Sequence, residues 1–335
     1  MSITAKKLAE KLNLSAAAVS MALNNKNGVS LETRQRVIKA AEKYGYDFSR
    51  IDSKQVDKGS IYQITYRTHG TIMSYLPIFS EITEGIEQVC AKDGYKLKIL
   101  QLSEKNDDIQ KYIEDIRISD CAGIILLGTE MRKETYTMFA KLSIPIILLD
   151  SYFDTANCDS VLINNKQGAY LATDYLINKY QCHPGYMKST YPIENFFERS
   201  NGFYKAVREH GMSVSNCIIH DLPPSIDGAY SDMTEIIKNK QELASCYFAD
   251  NDLIAIGAVK ALKDCGYKIP DDIAVVGFDN ISESRIIDPA LTTVDVPRQF
   301  MGQTAARQLI QLIRNPRPHS TKTEVSTSLI KRNSA

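Results

Sequence analysis

The chain has 335 residues, more than one ordinary core needs and enough for two or three domains. Its 40 Lys/Arg balance 40 Asp/Glu, but residues 1–50 hold nine basic and four acidic side chains, a net of +5 that leaves −5 on the rest. A basic head on an acidic body places any anionic partner at the head alone.

Seven cysteines are scattered singly between Cys90 and Cys265, odd in number and with no CxxC pair, which argues for buried thiols in a reducing compartment and against disulfides or a zinc site. The amino terminus carries no apolar stretch of the secretory kind, and no apolar run approaches the roughly 18 residues of a membrane span. A cytoplasmic protein is expected.

The first predicted elements are three short helices. Leu8, Leu12 and Leu14, then Val19, Ala22 and Leu23, keep helical spacing across a break at Asn13, a residue that tolerates the left-handed conformation of a tight turn. The first helix runs from about Thr4, its cap, to Lys11. Ser15 caps the second, and "NNKNG" ends it, with Gly28 able to take a positive φ. Ser30 caps the third, from Leu31 to about Tyr44, with Glu32 in its first turn and Val37, Ile38, Ala41 and Tyr44 on its inner face. Such a trio is a helix-turn-helix module. A small docking bundle has the same pattern, but the basic excess and the polar loop at 24–27 favour DNA.

The stretch "ITAKKLAEKLNLSAAAVSMALNNKNGVSLETRQRVIKAAEKYGY" resembles the head of the lac repressor family (LacI/GalR) of bacterial transcription regulators. The resemblance implies a second helix lying in the major groove. Ser15, Ala16, Ala17, Ser20 and Met21 match family positions that face DNA, and Asn24, Thr33 and Arg34 match positions near the phosphates. Many members carry arginine where this chain has Met21. Arginine is the usual bidentate reader of guanine, whereas Ala16, Ala17 and Met21 offer only apolar contact, for instance with thymine methyls. The resemblance therefore implies mostly apolar base contacts, with Ser15, Ser20 and Asn24 supplying hydrogen bonds and Arg34 and the lysines supplying phosphate contacts.

Residues 47–60, "DFSRIDSKQVDKGS", are polar and end in a plausible boundary. In the resembled family this segment forms a hinge helix on DNA, and a leucine from it wedges into the minor groove. Gln55 stands at the leucine position, with Val56 beside it, and Asp52 and Asp57 face repulsion from phosphates. Both a flexible linker and a wedge remain open readings.

From residue 61 to 335, strand-like runs ("IYQITYR", "YKLKILQL", "AGIILLG", "IPIILLD") alternate with amphipathic helices. A second set follows ("DSVLIN", "HPGYMKS", "SNCIIH", "ASCYFAD", "DIAVVGFD"). Buried strands alternating with helices predict parallel sheets covered on both faces, here two doubly wound subdomains. Ligands of such sheets bind at the strands' carboxyl ends, where Asp150, Ser189, Asp250, Asn251, Asp252 and Asp279 stand, with Arg199 in the helix after "YPIENF". Each of the strand-end residues could be a helix cap or turn former. Together they suit a molecule rich in hydroxyls.

"ERSNGFYKAV", "NDLIAIGAVKAL", "IPDDIAVVGFDNI" and "PALTTVDVP" extend the resemblance over nearly the whole chain. It implies a body of periplasmic-binding-protein type whose two subdomains close over an effector. Arg199, Asp279 and Asn251 match its ligand positions, Asp150 and Ser189 match more variable ones, and Phe79 matches a wall residue. It also implies three crossings, near 160, 290 and 320. The expected division is a helix-turn-helix domain at 1–46, a hinge at 47–60, a first subdomain at about 61–159 and 291–320, and a second at about 160–290 and 321–335. No leucine heptad follows, so a homodimer is expected, whose twofold symmetry suits a pseudo-palindromic operator.

The expected function is a repressor whose operator affinity responds to a small carbohydrate, without cofactor or metal. The alternative is a solute-binding protein without a regulatory role. An enzyme is disfavoured, because the five histidines form no metal-spaced cluster and neither a GxSxG elbow nor a Walker loop occurs.

Overall fold

The computed structural model describes residues 3–24, 28–46, 58–68 and 76–335. The hinge positions Asp52, Gln55, Val56 and Asp57, and the loop residues at 25–27, lie outside the described residues.

The head is α1 (Ala5–Leu12), α2 (Ala16–Leu23) and α3 (Leu31–Lys43). All three predicted caps close their helices: Thr4, Ser15 and Ser30 accept from the backbone N–H of Lys7, Ala18 and Thr33. Asn13 takes the left-handed conformation at φ 53°, and Gly28 has φ 117°. Leu8, Val19, Ala22, Leu23, Val37 and Ala41 form the head's core. Tyr44 departs from expectation. It follows the last turn of α3, is exposed, and lies under the Lys11 ammonium, 4.4 Å from its ring centroid, rather than inside. Ile38 is only half-buried.

The body begins with β1 (Ser60–Arg67), α4 (Leu76–Asp93), β2 (Lys96–Ser103), α5 (Ile109–Ile118), β3 (Cys121–Leu127), α6 (Lys133–Ala140), β4 (Ile146–Leu149) and β5 (Asp159–Ile163). Then come α7 (Asn165–Tyr180), β6 (Gly185–Ser189), α8 (Glu194–Glu209), β7 (Ile219–Leu222), α9 (Ile226–Lys238), β8 (Cys246–Ala249), α10 (Asp252–Asp264), β9 (Ala274–Asp279) and β10 (Thr292–Asp295). The chain closes with α11 (Arg298–Arg314), β11 (Lys322–Val325) and β12 (Ser328–Ile330).

These strands make two six-stranded sheets, ordered β11-β5-β4-β3-β1-β2 and β12-β10-β9-β8-β6-β7. All pairings are parallel except β10 with β12. Because β3 is covered on both faces, every one of its residues is buried. The edge strands β2 and β7 depart from the expected burial, with Ile99 and Ile219 exposed.

Strand membership shifts the crossings. The "DSVLIN" strand, expected in the second set, pairs with β4 as β5 of the first sheet, so the first crossing falls near Asn164. The β10 strand belongs to the second sheet and β11 to the first, so the others fall at 296–297 and 326–327. An apolar run records that a strand is buried but not which sheet buries it. The β7 strand also starts later than "SNCIIH" suggests.

In the first subdomain, α4 and α11 meet backbone to backbone. A Cβ on Gly302 would lie 2.1 Å from the Ile82 carbonyl oxygen, and one on Gly85 would lie 2.1 Å from that of Gln299. The two helices therefore pack with no room for a side chain between them at these positions. Gly302→Ala is expected to lower the unfolding free energy by about 1–3 kcal/mol, as overpacking against backbone does, read from urea unfolding. An unchanged midpoint would show that the helices have room to separate.

Candidate functional site

Five of the six predicted effector residues converge on one cleft at the carboxyl ends of both sheets. Phe79 comes from α4, Asp150 follows β4, Arg199 rises from α8, Asn251 precedes α10 and Asp279 ends β9. The cleft encloses a volume of about 70 Å³. Thr129, Ile193, Asn195, Phe196, Pro224 and Leu253 complete its lining. Thr129 lies two positions past the end of β3 and Asn195 is the second residue of α8, and "ILLGT" and "IENF" carried that much signal.

Ser189 is not brought to the cleft. It is buried at the end of β6, where its N–H donates to Asp250 Oδ2 at 2.6 Å and its Oγ accepts from the Tyr191 N–H at 3.1 Å.

Arg199 is the centre of the site. It is buried, and all three of its guanidinium nitrogens donate: Nε to Asn165 Oδ1 at 2.9 Å, Nη1 to the Asp250 carbonyl at 2.5 Å and Nη2 to Asp279 Oδ1 at 3.3 Å. Its guanidinium lies 3.7 Å from the Phe278 ring centroid. Behind Phe278, the rings of Phe248, Tyr186 and Phe203 stack into the core of the second subdomain.

Asp150 is gripped from both sides of the cleft. Thr129 Oγ1 donates to one carboxylate oxygen at 2.7 Å, and Asn195 Nδ2, from the other subdomain, donates to the second at 3.1 Å. Burial nevertheless holds the Asp150 carboxyl above its ordinary pKa. Asp150 and Asp279 both have positive φ, 59° and 111°. Strained backbone of this sort persists where surroundings over-determine it and gathers at ligand sites. Asn251 has a second task, since its Oδ1 caps α10 by accepting from the Ile254 N–H.

Two neighbouring carboxyls lie deeper. Asp250 accepts from the Tyr186 hydroxyl and the Ser189 N–H, and burial pushes its pKa up to about 6. Asp252 accepts from Thr293 Oγ1 and the Ile281 N–H, and burial, then the charge of Asp279, push it up to about 8.

In the head, the exposed face of α2 is Ala16, Ala17 and Ser20, opposite buried Val19, Ala22 and Leu23. Met21 is half-buried, its sulfur packed where a Cβ on Gly28 would sit 3.0 Å away. Ser15 spends an acceptor on its cap, Asn24 Nδ2 donates to the Ser20 carbonyl at 2.8 Å, and Thr33 Oγ1 accepts from Ser30 at 2.9 Å. Arg34 is half-buried in the first turns of α3. Arg36 is committed internally, donating to the Leu12 carbonyl at 2.7 Å.

Residues 4–48 match the family described as bacterial regulatory proteins, lacI family, and residues 70–333 match periplasmic binding proteins and sugar binding domain of LacI family. The chain belongs to the LacI family. A ribose operon repressor of Halalkalibacterium halodurans is 29% identical over 98% of this chain and 96% of its own length. A PurR transcriptional repressor of Mannheimia succiniciproducens is 25% identical over 99% and 98%. Among solved structures, a LacI family regulator of Enterococcus faecalis with bound ribose is 26% identical, with a TM-score of 0.66 over 82% of this chain and 98% of that one. The protein is thus a DNA-binding transcription regulator with an effector-binding body. Among the described residues, no helix is long and apolar enough to cross a membrane, and no group of three His, Cys, Asp or Glu could hold a metal ion.

Asp252 also sets a pH dependence. A carboxyl whose pKa rises from 3.8 to about 8 on folding takes up a proton between those values, so its contribution to stability falls as pH rises through that window. Asp252→Asn keeps an acceptor and cannot ionise. The variant is expected to gain on the wild type in melting temperature as pH rises from 5 to 8. Parallel melting curves against pH would show that Asp252 titrates normally.

Proposed function

We propose that the protein is a non-catalytic repressor that holds its operator as a homodimer, and that a neutral carbohydrate in the cleft changes that affinity. The observation that carries this reading is the Asp150–Arg199–Asp279 arrangement. Two carboxylates and a guanidinium, fixed by neighbours and flanked by Phe79 and Phe196, offer acceptors and donors to hydroxyls and apolar faces to a ring. Two carboxylates against one guanidinium disfavour an anionic effector. Both oxygens of Asp150 are already held by Thr129 and Asn195, which suits a clamp better than a proton shuttle. A match to the regulator head at residues 4–48 disfavours a free solute-binding protein. D-Ribose is the first probe, because one relative is named for it and another holds it.

The mechanism is a population shift. An effector that prefers one arrangement of the two subdomains changes how the dimer presents its two heads, a coupling typically worth about 1–3 kcal/mol. In titrations against the chain's own promoter, Asp279→Ala is expected to abolish the sugar-dependent change in affinity while ligand-free DNA binding persists. A response of wild-type size in that variant would overturn the cleft assignment.

The exposed alanines of α2 support apolar reading of the operator, with affinity leaning on phosphates and falling steeply with salt. Replacing Met21 by arginine should introduce a guanine preference of about 1–3 kcal/mol at one operator position. Site selection that already returns an invariant guanine opposite Met21 in the wild type would refute the apolar reading.

A further inference from the structure

The cleft does not end at Asp150. A second chamber of about 480 Å³, against about 70 Å³ for the cleft, opens beside it and shares two of its walls, Thr129 and Ile193. Apart from Thr68 at the end of β1, every other wall of the chamber continues a cleft wall along the chain. Asp150 lines the cleft and Ser151–Phe153 the chamber. Asn195 lines the cleft and Tyr191–Glu194 the chamber. The chamber therefore lies between the same two subdomains, again at the carboxyl ends of their strands.

Its chemistry repeats that of the cleft. The cleft sets Asp150 and Asp279 against Arg199, with Phe79 and Phe196 as apolar faces; the chamber sets Glu130 and Glu194 against Arg132, with Tyr152, Phe153 and Tyr191 as ring faces. Glu130 is buried and fixed: its Oε2 accepts from the Thr68 N–H at 2.9 Å, and its carbonyl accepts from Thr68 Oγ1 at 2.9 Å. Thr129, whose hydroxyl donates to Asp150, stands at the junction. A ligand reaching both spaces must pass it.

Resting on the carbohydrate reading above, we infer that the effector is a neutral disaccharide or glycoside, with one ring on Asp150, Arg199 and Asp279 and a second in the chamber of Glu130, Arg132, Tyr191 and Glu194. A single ring would leave the larger and equally polar space to water. In both spaces carboxylates outnumber guanidinium groups, which disfavours a phosphorylated or acidic sugar. Ring faces beside carboxylates suit a saccharide, because the apolar face of the ring stacks while its rim hydroxyls donate.

The test is calorimetry on the full chain with D-ribose, D-glucose and D-galactose against cellobiose, maltose and lactose, with glucose 6-phosphate as an anionic control. The expected result is one disaccharide binding at least about tenfold more tightly than its component monosaccharides, an advantage that Tyr191→Ala and Arg132→Ala each reduce, as loss of a ring face or of a charged hydrogen-bond donor should. Arg132 precedes α6 without capping it, so its truncation leaves that helix intact. If monosaccharides bind and no disaccharide exceeds them, this inference falls while the cleft reading stands. If glucose 6-phosphate binds tightest, the neutral-ligand claim falls. If a disaccharide keeps its advantage in both variants, the second ring does not occupy the chamber. If no sugar binds, the carbohydrate reading fails and takes this inference with it.

Discussion

The body is organised around one buried cation. Taking the Arg199 guanidinium out of water costs several kcal/mol unless every donor is satisfied and the charge is balanced. Here Asn165, the Asp250 carbonyl and Asp279 supply the acceptors, and the face of Phe278 supplies a desolvated cation–π contact of roughly 2 kcal/mol. Those requirements fix much else. Asn165 opens α7, so α7 and α8 must pack closely. Asp250 must present its carbonyl to the cleft while its carboxyl turns inward to Tyr186. Asp279 must stand at the end of β9 in a backbone conformation that non-glycine residues avoid.

Asp279 is also held from the other subdomain. Arg298, the first residue of α11, is buried and donates to the Asp279 carbonyl, and its guanidinium comes within 3.9 Å of Glu81 on α4. One residue thus meets Arg199 through its side chain and Arg298 through its backbone. Because α4 and α11 touch backbone to backbone, and α4 also carries Phe79, a molecule lodged between Phe79 and Asp279 bears on two rigid bodies at once. Packed bodies of this kind respond to a ligand by changing their relative population rather than by bending.

How much of this was legible in the sequence depended on range. Caps and turns are local, so Thr4, Ser15, Ser30, Asn13 and Gly28 could be placed from neighbouring residues alone. Strand-end position is nearly as local, and it found Asp150, Asn251 and Asp279. The direction of a side chain at a strand end is not local, and Ser189 spends its hydroxyl on the Tyr191 N–H of the following loop where Asp279 lines the cleft. Sheet membership of β5 depends on which neighbour it meets, and two subdomains built on the same pattern give no hint. Asn195 and Thr129 were missed because their role is defined by Asp150: one reaches it from the opposite subdomain, and the other from a neighbouring strand. Tyr44 was misplaced because helical periodicity continues past the residue where the helix ends.

The head and the body divide their physical tasks in opposite ways. The cleft concentrates charge and satisfied hydrogen bonds in a buried place, where a few groups give steep selectivity. The exposed face of α2, proposed above to read DNA, has little of either: alanines, a serine, and polar side chains partly spent on holding the head's own caps. On the apolar reading proposed above, a single head of this composition gains modest base discrimination and depends on phosphate contacts. Two heads joined in a dimer gain far more than one, provided their spacing matches the operator, because the second engagement is intramolecular. Weak individual heads therefore make the spacing decisive, and spacing is what a shift between two subdomain arrangements can alter. A regulator with strong, arginine-based reading in each head would resist such control, since a coupling of about 1–3 kcal/mol would release it less completely.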